Sequence, residues 1–246
     1  MVSSYFVNVF KNSTPFFKAT YILAHLEVSG YMNSRDIYTR ALRYPICGRT
    51  VFEIIRRLLN DYNKRHPKLP VKLPRRLFRS LLPPNEGEWS DQDHPLPFLR
   101  DIYGTPNLQV IHNDYALTKA VHAQFKPLVK FFLDKEASLK PKGEIAVKIA
   151  IRLKDLDMFK MLVKSWPDII SRDMEIAKTM LELAILSGAS NIVEFYRERG
   201  VVPNIGVLKK LADLWRKMRK DSAGGRASGQ ITFDCLPHSF TVPNSA

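Results

Sequence analysis

The sequence predicts an all-α protein in which antiparallel helix pairs stack into a solenoid. Apolar residues recur at helical spacing through most of the chain, whereas only residues 230–233 show the alternation that is typical of a strand. Three segments can also be superimposed without gaps, namely 115–133, 145–163 and 179–197. Self-similarity at intervals of about 30 residues is typical of repeat proteins, in which each helix pair buries its apolar face against the next pair.

The composition is that of a protein with a hydrophobic core. Of the 246 residues, 45% are hydrophobic and 25% are charged, which excludes the intrinsically disordered class. No stretch approaches the roughly 18 consecutive apolar residues of a membrane helix, and we find no signal-peptide pattern, so we expect no membrane span. The two cysteines, Cys47 and Cys235, lie far apart in sequence, which favours reduced thiols in a cytoplasmic or nuclear protein.

Changes in composition divide the chain into four parts. A helical region with one weak repeat is followed by a segment rich in proline and acidic residues, then by the regular repeats and a tail with a Gly- and Ser-rich start. The first part includes a helix predicted to begin at Thr14-Pro15 and to end at Gly30. We expect the second part to be an irregular insertion, because its prolines interrupt helices, and we expect the tail to be flexible. The four parts are 1–65, 66–114, 115–220 and 221–246.

The three repeats share a small residue in the first helix and a wide apolar face on the second. The small residue is alanine in each repeat, and its methyl group allows a neighbouring helix to approach closely. The shared alanines are Ala120, Ala150 and Ala184, and the apolar faces begin with the pairs at 128–129, 158–159 and 192–193. Because one hairpin cannot bury such a face alone, the pattern predicts a stack of hairpins.

This pattern resembles the ankyrin repeat family. The alanine-containing first helix, the tight turn, the apolar second helix and the exit turns at 135–138 and 199–202 follow the order of the family's motif. The family's Thr-Pro-Leu-His signature is missing from every repeat. The turn between the helices holds glycine only at Gly188, where the other two repeats have Gln124 and Lys154. Other helix-pair solenoids, such as the TPR and HEAT families, are the alternative.

The resemblance implies a protein–protein interaction module or adaptor without catalytic activity. In ankyrin-like stacks, the hairpin tips and the exposed side of the first helices form the partner surface, and these positions can be carried over to this chain. The partner-binding residues implied in this way are His122, Ala123, Lys142, Glu144, Arg152, Leu153, Leu186 and Ser187.

The positive charge of the chain is concentrated in one region. The formal net charge is +14, and residues 35–79 carry 13 Lys or Arg against three acidic residues, a net charge of +10. Such a region can keep the protein soluble, attract an acidic protein partner or bind nucleic acid. Nucleic-acid binding through residues 35–79 is the alternative function, although no known recognition motif accompanies the charge. The candidate basic patch is Arg56, Arg57, Arg75, Arg76 and Arg79.

The sequence lacks the common motifs of catalysis, phosphate binding and metal binding. Gly224-Gly225 has neither a strand before it nor a Lys-Ser/Thr after it, and the six histidines are scattered. The acidic residues of 86–93 lie in a proline-rich loop, where we expect a solvated turn rather than a general acid/base pair. We therefore predict that the chain is not an enzyme and holds neither a metal nor another cofactor.

Overall fold

The computed structural model describes residues 12–66, 68–84, 87–111, 114–135, 143–171 and 175–206, together with 209, 213 and 216. These residues are mostly helical, so the prediction of a helical protein is confirmed at that level. The chain divides into two compact units, 1–146 and 147–246. The predicted boundaries after residues 65 and 114 therefore fall within the first unit. The predicted tail at 221–246 lies outside the described residues.

The helices of the first unit are short and are interrupted by two strands. The helices are α1 Pro15–Val28, α2 Ile37–Ala41, α3 Arg49–Leu58, α4 Asn60–Arg65, α5 Arg76–Arg79, α6 Leu96–Tyr103, α7 Asp114–His122 and α8 Lys126–Asp134. The strands are β1 Leu69–Lys72, between α4 and α5, and β2 Leu108–Ile111, between α6 and α7. Helix α9, Gly143–Arg152, spans the division between the units. The second unit continues with α10 Leu156–Ser165, a 3-10 turn at Pro167–Ile170, α11 Glu175–Ser187 and α12 Ser190–Arg197.

Helix α1 has the boundaries that its terminal residues favour. The Thr14 hydroxyl accepts a hydrogen bond from the Phe17 amide at 3.2 Å, and Pro15 occupies the first helical position. After the other end, Gly30 has a φ of +74°, which residues with a side chain rarely adopt. The prediction for this helix is confirmed. Helix α1 packs against α2 and α3.

A small parallel sheet lies within the segment that the sequence predicts to be irregular. Strands β1 and β2 pair in register, beginning with Leu69 opposite Leu108. The Lys72 amide of β1 donates to the hydroxyl of Thr39 in α2 at 3.0 Å, so a side chain completes the hydrogen bonding of this strand. Pro70, also in β1, has no amide hydrogen to satisfy. The strands could not be predicted from the sequence because each has only four residues, too few for a periodic pattern to stand out.

Residues 66–114 also supply much of the core of the first unit. The Phe98 ring of α6 meets the Phe52 ring of α3 at a centroid distance of 5.6 Å, and the Phe78 ring of α5 meets Phe132 of α8 at 6.1 Å. The prediction of an irregular insertion was therefore wrong for this segment. Its buried side chains include Leu69, Val71, Leu73, Leu77, Phe78, Leu81, Leu96, Phe98, Leu99 and Ile102.

In the second unit, the two later repeats contact each other through their second helices. Helix α12 packs against both α10 and α11. The Phe159 ring of α10 lies edge-to-face with Phe195 and Tyr196 of α12, at centroid distances of 5.3 Å and 5.6 Å. The side-chain amide of Asn191 also donates to the Lys154 carbonyl at 3.3 Å, which links the start of α12 to the turn before α10.

Candidate partner-binding surface

The turn between the two helices has the same backbone structure in all three repeats. One residue of the turn has a positive φ, which is +55° at Gln124, +57° at Lys154 and +65° at Gly188. The following amide donates to the carbonyl of the shared alanine, at 2.9–3.2 Å, and the amide of the positive-φ residue donates to the carbonyl after that alanine. These two bonds form the Schellman motif, which ends a helix by main-chain contacts alone.

We expect Lys154→Gly to raise the free energy of unfolding by about 1 kcal/mol. A residue with a Cβ is strained at positive φ, and Lys154 is exposed, so its side chain contributes little packing. Urea denaturation followed by circular dichroism would measure the change.

Two further substitutions serve as controls for the prediction at Lys154, one in the equivalent turn and one inside a helix. Gly188→Ala should lower stability by about 1 kcal/mol, since its φ is +65° while the new Cβ would meet only Lys154 Nζ, at 3.6 Å. Lys160→Gly, at an exposed position inside α10, should also lower stability by about 1 kcal/mol. If Lys154→Gly lowers stability as much as Lys160→Gly does, Lys154 does not have the positive φ of this turn.

Six of the eight predicted partner-binding residues lie in sequence at these turns. The position two residues after the shared alanine, called the tip position below, is exposed in every repeat. The tip positions hold His122, Arg152 and Leu186. The residues that follow them are less accessible, since Leu153 and Ser187 are half-buried. Glu144, near the start of α9, is half-buried, and Lys142 lies outside the described residues.

Ala123 is fully buried, which corrects the prediction that its side chain forms part of the partner surface. Its carbonyl accepts a hydrogen bond from the indole of Trp89 at 2.8 Å. The Trp89 ring also stacks on Phe125, with a centroid distance of 4.4 Å and an interplanar angle of 12°. The loop between α5 and α6 therefore covers the turn of the first repeat, and no local pattern in the sequence indicates this contact.

Arg76 does not belong to an exposed basic patch, which corrects the prediction for this residue. Its side chain is part-buried and donates to the carbonyls of Leu42 at 2.8 Å and Cys47 at 2.7 Å. Burial lowers the pKa of the Arg76 guanidinium, which nonetheless remains protonated near neutral pH. Arg76 therefore ties α5 to the segment between α2 and α3.

Arg56 and Arg57 share one carboxylate. Arg56 donates two hydrogen bonds to Glu53, at 2.7 Å and 2.9 Å, and Arg57 donates one at 3.1 Å. The hydrogen bonds from Arg56 hold the pKa of Glu53 below its ordinary value, so Glu53 is ionised at neutral pH. Glu53 therefore offsets part of the positive charge of the two arginines.

The remaining members of the predicted basic patch differ from each other as well. The Arg75 guanidinium lies over the Tyr115 ring, 5.1 Å from its centroid, whereas Arg79 is simply exposed. The five arginines thus have several distinct environments. This dispersal weakens the support for nucleic-acid binding through a single patch, and that function stays a prediction.

A polar cleft of about 490 Å³ opens beside Arg56 and Arg57. The side-chain amide of Asn107 donates to the Asn63 carbonyl at 3.1 Å, and the Asn107 carbonyl accepts from the Leu69 amide at 2.8 Å, so the wall of the cleft is well anchored. No local sequence pattern marks these asparagines. The lining residues are Arg56, Arg57, Asn60, Asn63, Thr105, Pro106 and Asn107.

The acidic loop before α6 is structured as a turn. Asp91 pairs with Arg100 at 3.0 Å, and the Asp93 carboxylate accepts the Ser90 amide at 2.6 Å. Across the described part of the chain, no group of three or more His, Cys, Asp or Glu side chains could hold a metal ion. In the same residues, no helix is both long enough and apolar enough to cross a membrane.

No protein-family model matches the sequence, and no significant similarity to a curated protein or to a solved structure was found. Support for a function therefore comes from the residues and geometry of the chain itself.

Proposed function

We propose that the chain is a protein-binding module of ankyrin-like repeats, without catalytic activity, that contacts its partner through the tip positions. One observation carries this proposal. The same main-chain turn presents a chemically different exposed side chain in each repeat, namely His122, Arg152 and Leu186. A constant scaffold with variable exposed residues is suited to recognition. The contact between α10 and α12 supports stacking of the two later repeats.

The partner that fits best is an acidic protein. The chain has a net charge of +14, which accelerates encounter with an acidic surface. Arg152 can form a charge-assisted pair with a carboxylate of the partner. Leu186, which is 45% exposed, can serve as an apolar anchor in the contact.

Substitution at the tip positions tests the proposal. Partners captured on the immobilised chain would be identified by mass spectrometry, and their affinities would be measured by biolayer interferometry. We expect the double variant Arg152→Glu, Leu186→Asp to bind at least about tenfold more weakly, because it removes one anchor and places negative charge against an acidic partner.

Lys160→Glu is the matched control for this experiment. It makes a similar charge reversal at an exposed position of α10, away from the tip positions, and should bind normally apart from a slower association at low salt. If the double variant is folded and retains the affinity of the unmodified chain for every partner, the tip positions are not the contact surface.

A further inference from the structure

The polar cleft beside Arg56 and Arg57 contains hydrogen-bond donors that the protein leaves unused. Arg57 donates to Glu53 only through Nε, so within the described residues its two terminal amino groups have no hydrogen-bond acceptor. Arg56 uses Nε and Nη2 on Glu53, which leaves Nη1 available. The side chain of Asn60 is exposed at the same cleft. The side chains of two arginines and three asparagines therefore line one small cleft.

Two of the side chains that line the cleft, Asn63 and Arg56, are held in place before any ligand arrives. The side-chain amide of Asn63 donates to the Arg56 carbonyl at 3.3 Å, and the Asn63 side-chain oxygen accepts the Tyr38 hydroxyl at 2.8 Å. Glu53 holds the Arg56 guanidinium through two hydrogen bonds. Such preorganisation reduces the entropy lost on binding.

The remaining donors select the kind of anion. Glu53 already accepts from both arginines and repels a further anion, so a ligand has to reach the unused amino groups of both side chains at once. A phosphate group has more acceptor oxygens than a carboxylate, and these can bridge two guanidinium groups. We propose that this cleft binds the phosphate group of a small molecule. Its volume of about 490 Å³ leaves room for the rest of a phosphomonoester.

Titration of the full chain with three probes at low ionic strength tests the proposal. The probes are glycerol 3-phosphate, inorganic phosphate and acetate. Binding would be measured by calorimetry and by shifts of the side-chain amide NMR resonances of Asn60 and Asn107. We expect saturable binding of glycerol 3-phosphate and none of acetate. Tighter binding of the ester than of inorganic phosphate assigns the site to phosphomonoesters, whereas equal binding assigns it to the phosphate ion.

Two substitutions should change this affinity in opposite directions. Arg57→Gln, at a side chain that is 74% exposed, should weaken binding about tenfold. Glu53→Gln should strengthen binding about fivefold, because it removes a negative charge beside both arginines while the new amide oxygen can still accept from Arg56. The control Arg79→Gln removes the same charge from an exposed residue that does not line the cleft and should leave the affinity nearly unchanged.

Three results would overturn the proposal. They are the absence of saturable phosphate binding, acetate binding as tightly as the phosphate probes, and equal effects of Arg57→Gln and Arg79→Gln. Because Glu53→Gln is expected to gain affinity, a loss of folding in one variant cannot imitate the expected pattern.

Discussion

Replacing Ala184 with aspartate should lower the free energy of unfolding by about 4 kcal/mol. Ala184 is fully buried in α11, which packs along α12, so the new carboxyl would lie out of contact with water. It would have to be buried as a charge, be protonated at a cost, or force the two helices apart. Thermal and urea denaturation followed by circular dichroism would measure the loss.

Leu186→Asp is the matched control for Ala184→Asp. The same residue is introduced two positions later in the same helix, but Leu186 is 45% exposed. Both carboxylates would lie near the end of α11, so the unfavourable interaction with the helix dipole is similar in the two variants. We expect Leu186→Asp to cost less than about 1 kcal/mol. Similar losses in both variants would mean that Ala184 is not at a close helix contact.

Arg76→Met should lower the free energy of unfolding by about 3 kcal/mol. Methionine fills a similar volume, but it leaves the carbonyls of Leu42 and Cys47 without their donors. Buried main-chain acceptors that lose a partner are costly because water does not replace it. Chemical denaturation would measure the loss of stability.

The control for Arg76→Met is Arg79→Met, an exposed position in the same short helix. It removes the same charge and introduces the same side chain, so we expect a change within about 0.5 kcal/mol. If the two variants are equally stable, the Arg76 guanidinium does not hold the segment between α2 and α3.

Features that depend on neighbours in sequence could be predicted. Thr14 and Gly30 mark the ends of α1, because capping and positive φ are local requirements. The alignment of Gln124 and Lys154 with Gly188 also places the turns of the three repeats correctly, although the positive φ at Gln124 and Lys154 goes against their residue types.

Features that join distant parts of the chain could not be predicted. Arg76 lies 34 residues from Leu42, and Trp89 lies 34 residues from the Ala123 carbonyl that it covers. The wall of the cleft joins Asn107 to Asn63, 44 residues away. No local pattern encodes such pairs. A charge run such as 35–79 therefore looks uniform in sequence, although its arginines have different partners in the fold.

The Schellman bonds of the three turns connect amides to carbonyls, and no side chain at a tip position takes part in them. His122, Arg152 and Leu186 can consequently be randomised with little penalty to the hairpins that display them. A combinatorial library at these sites, screened by affinity selection, would convert the scaffold into a source of new binders.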